Sequence, residues 1–419
     1  MMLPALYAAA TTLAAPGLQV MLKRRAARGK EFVPRLGERR GIDSTVRPAG
    51  KLIWLHAASV GETVSVLPLL ARLDARVLLT TGTVTSANLL ARRLPELRLA
   101  ERVTHRFVPL DVPAWAERFL DHWRPDAAGF VESEIWPNLL AQCTTRRVPL
   151  MLVNARLSAR SFSHWKLVPR FARRLFGSFA AVQAQSEADA ARVQALGGPA
   201  SSLTGNLKFA ADPLPVDAAE LQRVAGLIAG RPVWLAASTH PSEDRIVLAV
   251  HAKLAVGHPG LLTIIVPRHP ERGPAIAAQA ANVPAPRRSL GEAPPGEAGV
   301  WIADTLGELG LFYRLAGAAF VGKSLGNERG GQNVLEPARL RCAVAVGPEV
   351  QNFAEPVAML EAAGALERVA DADALARWVG AMLSDPPRRA AMAEAGIAAA
   401  SGFAELPLRV AALLTGLLH

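Results

Sequence analysis

Several short segments of the 419-residue chain hold residues that do chemistry, at spacings suited to it. Glu62 lies in His56-Ala57-Ala58-Ser59-Val60-Gly61-Glu62-Thr63. A carboxylate on a tight glycine turn suits general-base work; in a first helical turn it would instead complement the macrodipole. Glu132 and Glu134 close an apolar run just before Trp136 and Pro137. They cap the helix that Pro137 opens, or one of them faces a cleft or a cation, because burying two unpartnered like charges is costly. Lys208, in Thr204-Gly205-Asn206-Leu207-Lys208-Phe209, is either an ordinary surface lysine or a cation reaching an anion at a domain border. Arg268 follows a strongly apolar run and offers a fork for phosphate or carboxylate, while His269 reads as a turn residue. Gly330-Gly331-Gln332-Asn333-Val334-Leu335-Glu336-Pro337 puts a glycine pair before a helix start. That makes a backbone anion site, with Glu336 placed to accept from ribose hydroxyls. No GxGxxG, GxxxxGK[ST] or HExxH occurs, which argues against a standard dinucleotide site, a P-loop or a zincin.

These segments need elements to aim them. Apolar runs at Lys51–Leu55, Val77–Thr81, Ala127–Val131, Pro149–Val153 and Phe179–Ala184 read as buried strands. Helical patterns alternate with them, around Val64–Leu73 and from Ser86 onward. The rhythm restarts at Val233–Ala237, Leu261–Val266, Gly299–Ile302, Ala318–Val321 and Cys342–Val346. Such alternation predicts α/β architecture: two Rossmann-like domains facing a cleft, with ligands at the carboxyl ends of the strands. The expected partition is an anchor at 1–22, a basic segment at 23–50 and a domain at 51–210. A linker region at 211–228 and a second domain at 229–419 complete it. The proline-rich stretch Val283–Gly296 reads as a surface loop.

The composition, 51% hydrophobic and 20% charged, excludes a disordered or collagen-like chain. Cys143 and Cys342 form neither a CxxC pair nor a metal-ligand spacing, so no disulfide framework or metal site is expected. A net charge of +11 points to an anionic partner: nucleic acid, a membrane surface or a phosphorylated ligand. Its distribution is uneven. Residues 1–228 hold 30 Lys and Arg against 18 Asp and Glu; residues 229–419 hold 17 against 18. One concentration runs from Lys23 to Arg40. The other is acid-free, from Ile135 to Ser186, and mixes Arg156, Arg160, Lys166, Arg170, Arg173 and Arg174 with aromatics. That mixture suits a phosphorylated, partly apolar ligand, anionic lipid or single-stranded nucleic acid, or simply a solvated helix face. Residues 1–22 carry no charged side chain, and Pro4, Pro16 and Gly17 weaken them as a span. Their basic flank follows the apolar run. This favours a signal-anchor with the chain on the cytoplasmic side over an in-plane helix or a cleaved signal.

Taken in order, HAASVGETVSVLPLL at 56–70, VESEIWPNLL at 131–140, LVNARLSARSF at 152–162 and AQSEADAARVQALGG at 184–198 resemble the Kdo (3-deoxy-D-manno-oct-2-ulosonic acid) transferases. TGNLKF at 204–209, PRHPERG at 267–273, GELGLFYR at 307–314 and GGQNVLEPA at 330–338 continue the resemblance. It implies a GT-B glycosyltransferase of lipopolysaccharide synthesis, anchored to the inner membrane on its cytoplasmic side. It implies CMP-Kdo as donor substrate with no cofactor, a phosphorylated lipid A precursor (lipid IVA) as acceptor, and inverting transfer without a metal. Glu62 matches the family's proton acceptor, and Glu132 and Lys208 its transition-state stabilisers. Pro267, Arg268, Gly307, Glu308, Leu309, Asn333, Val334, Leu335 and Glu336 match its CMP-binding segments. Ser59, Gly61, Arg156 and Arg160 fall on the acceptor side, and nucleic acid is not an expected partner. Lys323 and Gln332 depart from the residues expected there, Gly and His. Two rival readings remain: another GT-B envelope enzyme with a different nucleotide sugar, and a noncatalytic protein that binds anionic lipid or nucleic acid.

Overall fold

The computed structural model describes residues 2–210, 213–280 and 283–418. The chain divides into two compact units, Met1–Ala211 with Phe403–His419, and Asp212–Gly402.

The first unit is built on a parallel seven-stranded sheet in the order β3-β2-β1-β4-β5-β6-β7. Its strands are β1 (Leu52–His56), β2 (Arg76–Thr81), β3 (Val103–Phe107), β4 (Ala127–Val131), β5 (Leu150–Ala155), β6 (Ala181–Ala184) and β7 (Leu203–Thr204). Every residue of β1, β4 and β5 is buried, as expected of parallel strands covered on both faces. The two-residue strand period separates two cores. Leu52 and Trp54 pack with Phe119, Phe130 and Phe176 on one face, while Ile53 and Leu55 pack with Leu69, Leu79 and Val153 on the other. The change in strand order between β1 and β4 makes a topological switch point at the sheet's carboxyl edge.

The second unit repeats the plan with a six-stranded parallel sheet, β10-β9-β8-β11-β12-β13. Here β8 is Val233–Thr239, β9 Leu262–Pro267, β10 Gly299–Ile302, β11 Ala318–Val321, β12 Ala343–Val346 and β13 Leu366–Arg368. Its cores centre on Trp234 and Phe320 on one face, and on Leu235, Trp301 and Phe312 on the other.

Three features differ from the expected partition. Ala211 and Asp212, where the linker was to begin, lie outside the described residues, and most of the remainder is a helix, Ala218–Ile228, capped by the Asp217 carboxylate. The last helix, Pro386–Gly416, begins in the second unit but ends in the first. Its Leu406, Val410, Ala411 and Leu414 complete the core that holds Ile53 and Leu55. The N-terminal helix α1 (Met2–Ala27) runs unbroken through Pro16. Proline there removes one hydrogen bond, and the alanine-rich turns on either side sustain the helix without it.

Candidate active site

In the first unit the residues singled out above gather at the carboxyl ends of β1, β4, β5 and β7. Helix α2 (Val60–Arg72) follows β1, with Ser59 as its N-cap. The Ser59 hydroxyl accepts from the Glu62 N–H (3.3 Å) and donates to Glu62 Oε1 (2.7 Å), while Glu62 Oε2 accepts from the Ala58 N–H (2.8 Å). The capping role and the placement of a carboxylate at the strand end are therefore one arrangement. Burial is the largest influence on Glu62 and raises its pKa above the usual carboxylate range; the Glu134 and Glu132 carboxylates push the same way, against the Ser59 and Ala58 hydrogen bonds. Gly61 is exposed, and a Cβ there would meet no atom closer than Ser59 Oγ at 3.9 Å.

The two carboxylates after β4 diverge. Glu132 takes left-handed backbone (φ 58°) and pairs with Lys208 Nζ at 2.6 Å. Glu134 accepts from the Trp136 indole (2.7 Å) and lies 3.5 Å from His56 Nε2. Burial opposes its ionisation, but His56 and Trp136 outweigh that and hold its pKa below the ordinary value. Arg156, whose N–H reaches the Glu132 carbonyl at 3.5 Å, and Arg160 are exposed, and neither forms a salt bridge among the described residues.

Residue roles the sequence did not disclose belong to a buried amide network beneath this site. Asn154, at φ 52° and fully buried, accepts from the Leu207 N–H (2.9 Å) and donates to Asn206 Oδ1 (3.4 Å). Asn206 Oδ1 in turn accepts from the Lys208 N–H (3.0 Å), and its amide donates to Gln185 (3.2 Å). Gln183 ties Asn154 N–H to the Gly205 carbonyl. The network holds the loop that carries Lys208. Asn-Ala-Arg and Gly-Asn-Leu-Lys were legible as segments, but amide pairing across 52 residues leaves no local signal.

In the second unit a cavity of about 280 Å³ opens at the ends of β8, β9 and β11. Of the nine residues matched to CMP binding, Arg268, Gly307, Leu309, Asn333 and Glu336 line it, joined by Ser238, Tyr313 and Gln332. Asn333 Nδ2 donates to Glu336 Oε1 (3.1 Å), and Asn333 Oδ1 caps the Leu335 N–H. Burial raises the Glu336 pKa, against the pull of Asn333, Arg339 and Arg268. The other four side chains are not among the lining. Pro267, Val334 and Leu335 are buried, and Glu308 pairs with Arg288, which also binds Glu220. Glu243, absent from the sequence reading, braces the site. Its carboxylate accepts the N–H groups of His240, Lys323, Ser324 and Leu325 at 2.8–3.1 Å. Gly322 permits this approach, since a Cβ there would meet Glu243 Oε2 at 2.8 Å and the Ser238 carbonyl at 2.6 Å. Lys323 adopts φ 60°, the left-handed region where glycine is at ease, which accounts for the glycine expected at that position. Among the described residues no group of three or more His, Cys, Asp or Glu is arranged to hold a metal ion, and both cysteines are buried and unpaired.

The basic segments divide too. Arg39 is buried, pairs with Glu31 at 3.0 Å and donates to the Gly82 and Val108 carbonyls, and Arg35 pairs with Glu38. These two hold the fold together. Lys23, Arg24, Arg28 and Lys30 remain exposed without a salt bridge among the described residues.

The family described as 3-deoxy-D-manno-octulosonic-acid transferase (kdotransferase) matches residues 34–211. A 3-deoxy-D-manno-octulosonic acid transferase of Haemophilus influenzae is 34% identical over 381 residues, covering 88% of each chain. The chain belongs to the Kdo transferase family. A probable mitochondrial member from Arabidopsis thaliana is 34% identical over 398 residues, 91% of this chain and 88% of that one. A glycosyltransferase structure from Rickettsia africae, 13% identical, superposes with a TM-score of 0.56 over 88% of this chain and 99% of its own, and shows the fold. The protein is thus an enzyme of GT-B fold, a Kdo transferase of lipopolysaccharide synthesis.

Proposed function

We propose that the enzyme transfers Kdo from CMP-Kdo to a phosphorylated lipid A precursor, lipid IVA, by metal-independent inverting displacement at the inner membrane. Glu62 takes the acceptor hydroxyl proton; its burial raises its pKa and makes it a stronger base than an exposed carboxylate. Lys208, paired with Glu132, offsets negative charge on the reacting sugar. The cavity of the second unit holds CMP, with Arg268 on the phosphate and Glu336 on the ribose hydroxyls. Arg156 and Arg160 meet acceptor phosphate, and replacing both with Gln raises the acceptor KM several-fold, about 1 kcal/mol of binding, with kcat little changed. The apolar α1 and its unpaired cations hold the enzyme on the cytoplasmic face.

The observation that carries this reading is the buried Glu62 carboxylate at the carboxyl end of β1, in a chain whose relatives are Kdo transferases. The test is a transfer assay with CMP-Kdo and lipid IVA, read by product mass. A product heavier by whole Kdo units is expected. No transfer from CMP-Kdo, or preferential binding of UDP over CMP, contradicts it.

A further inference from the structure

Helix α1 is bonded to the first unit. The Tyr7 hydroxyl donates to Asp111 Oδ2 (3.0 Å), and Asn138 Nδ2 donates to Thr11 Oγ1 (3.0 Å). Asp111 is itself buried and accepts the N–H groups of Asn138 and Leu139 at the start of the helix Pro137–Thr145. A helix that keeps these bonds lies along the folded unit and does not cross a bilayer. Beneath it is a cavity of about 600 Å³, within the size range of organic-ligand sites. Its walls are mainly apolar, with Ala5 and Ala8 from α1, Leu140 from Pro137–Thr145, and Phe171 and Leu175 from the helix Pro169–Phe176, but Asn138, Gln142, Thr144, Thr145 and Ser178 also line it. Arg174 is the one charged residue in the lining. Helical spacing sets Arg170, four residues earlier, beside it, and neither forms a salt bridge among the described residues.

We propose that this cavity takes an acyl chain of the phosphorylated lipid acceptor, with Arg174 at its mouth holding phosphate. The proposal rests on the acceptor reading above and adds to it a second binding site, remote in sequence from Glu62. The apolar part of the lining suits a hydrocarbon chain, and unpaired cations without a neighbouring carboxylate suit an anionic headgroup. A single ring, Phe171, makes no stacking platform for successive bases.

The test is independent of transfer. Full-length protein in detergent micelles is photolabelled with a diacyl phosphatidic acid carrying a diazirine in one chain. Adducts are expected on peptides from 4–8, 137–145 and 171–178, displaced by lipid IVA and not by its chain-free disaccharide bisphosphate. Ala8→Trp, and Thr144→Phe from the facing wall, each lower the yield about ten-fold with unchanged circular dichroism. Arg174→Ala weakens the phosphatidic acid probe and spares its diacylglycerol counterpart. Adducts elsewhere, yields unmoved by both wall variants, or equal displacement by phosphatidylglycerol overturn the proposal. Labelling as expected in a protein that transfers no Kdo would fault the reaction assignment and leave the lipid site standing.

Discussion

The two units share one plan and use it differently. In each, adjacent central strands carry a non-glycine residue in left-handed backbone within two residues of their carboxyl ends: Glu132 and Asn154 in the first, Ser238 and Lys323 in the second. Each such residue costs on the order of 1–2 kcal/mol, and each stands at a strand end where the site lies. Each unit also braces its loops from below, the first with paired Asn and Gln side chains, the second with the Glu243 carboxylate. The groups they present differ. The first offers Glu62 with a raised pKa and the Lys208–Glu132 ion pair, within the basic half of the chain. The second offers a small cavity with one guanidinium, a protonation-prone Glu336 and backbone dipoles, in a half whose charges nearly cancel. Proton transfer needs a carboxylate that changes charge, whereas holding a nucleotide phosphate needs a guanidinium that keeps its own.

That contrast predicts separable defects. Glu62→Gln has the largest expected effect, a loss of about 10³ in kcat, within the usual contribution of a general base. In the wild type the rate falls as pH drops through the Glu62 pKa, above the ordinary carboxylate value of about 4.3, because the protonated acid accepts no proton. Arg268→Ala comes next: CMP affinity falls about 10- to 100-fold, the range of a lost charge-assisted hydrogen bond, by calorimetry. The acid limb of the pH–rate profile stays in place, since Arg268 is not among the groups that set the Glu62 pKa. Lys208→Ala lowers the rate about ten-fold near neutral pH and moves the acid limb upward. Without its cation the Glu132 charge is uncompensated and raises the Glu62 pKa further, so a limb that stays put or moves down would separate the two groups. The smallest effect is Lys323→Gly, which relieves left-handed strain and raises stability by up to about 1 kcal/mol, seen as a higher Tm.

The sequence revealed the sheets unevenly, and the pattern has a cause. Central strands such as Leu52–His56 and Val233–Thr239 are covered on both faces and read as continuous apolar runs. The three strands that escaped notice, β3, β7 and β13, all lie at sheet edges. In β3 the middle residues Thr104, His105 and Arg106 are half-exposed, so no apolar run marks it. Strand β10 is also an edge strand and was legible, because the chain at Pro284 and Pro286 bonds along its open side and keeps it buried. The site follows the same logic. Glu62, Glu132, Lys208, Arg268 and Glu336 stood out because each follows a strand, on the loop after it or in the first turn of the helix that the loop opens. Glu243 and the Asn154–Asn206 pair did not, because their partners are distant in sequence. Charge counting located the basic half but could not tell Arg39, which is buried and paired, from Arg174, which is exposed.

The division of labour is tested most directly by CMP calorimetry on the wild type, Glu62→Gln and Arg268→Ala, each also assayed for transfer. The expected result is wild-type CMP affinity with transfer lowered about 10³-fold for Glu62→Gln, and weakened CMP binding for Arg268→Ala. Loss of CMP binding in Glu62→Gln, or near-normal transfer by it, would contradict the account.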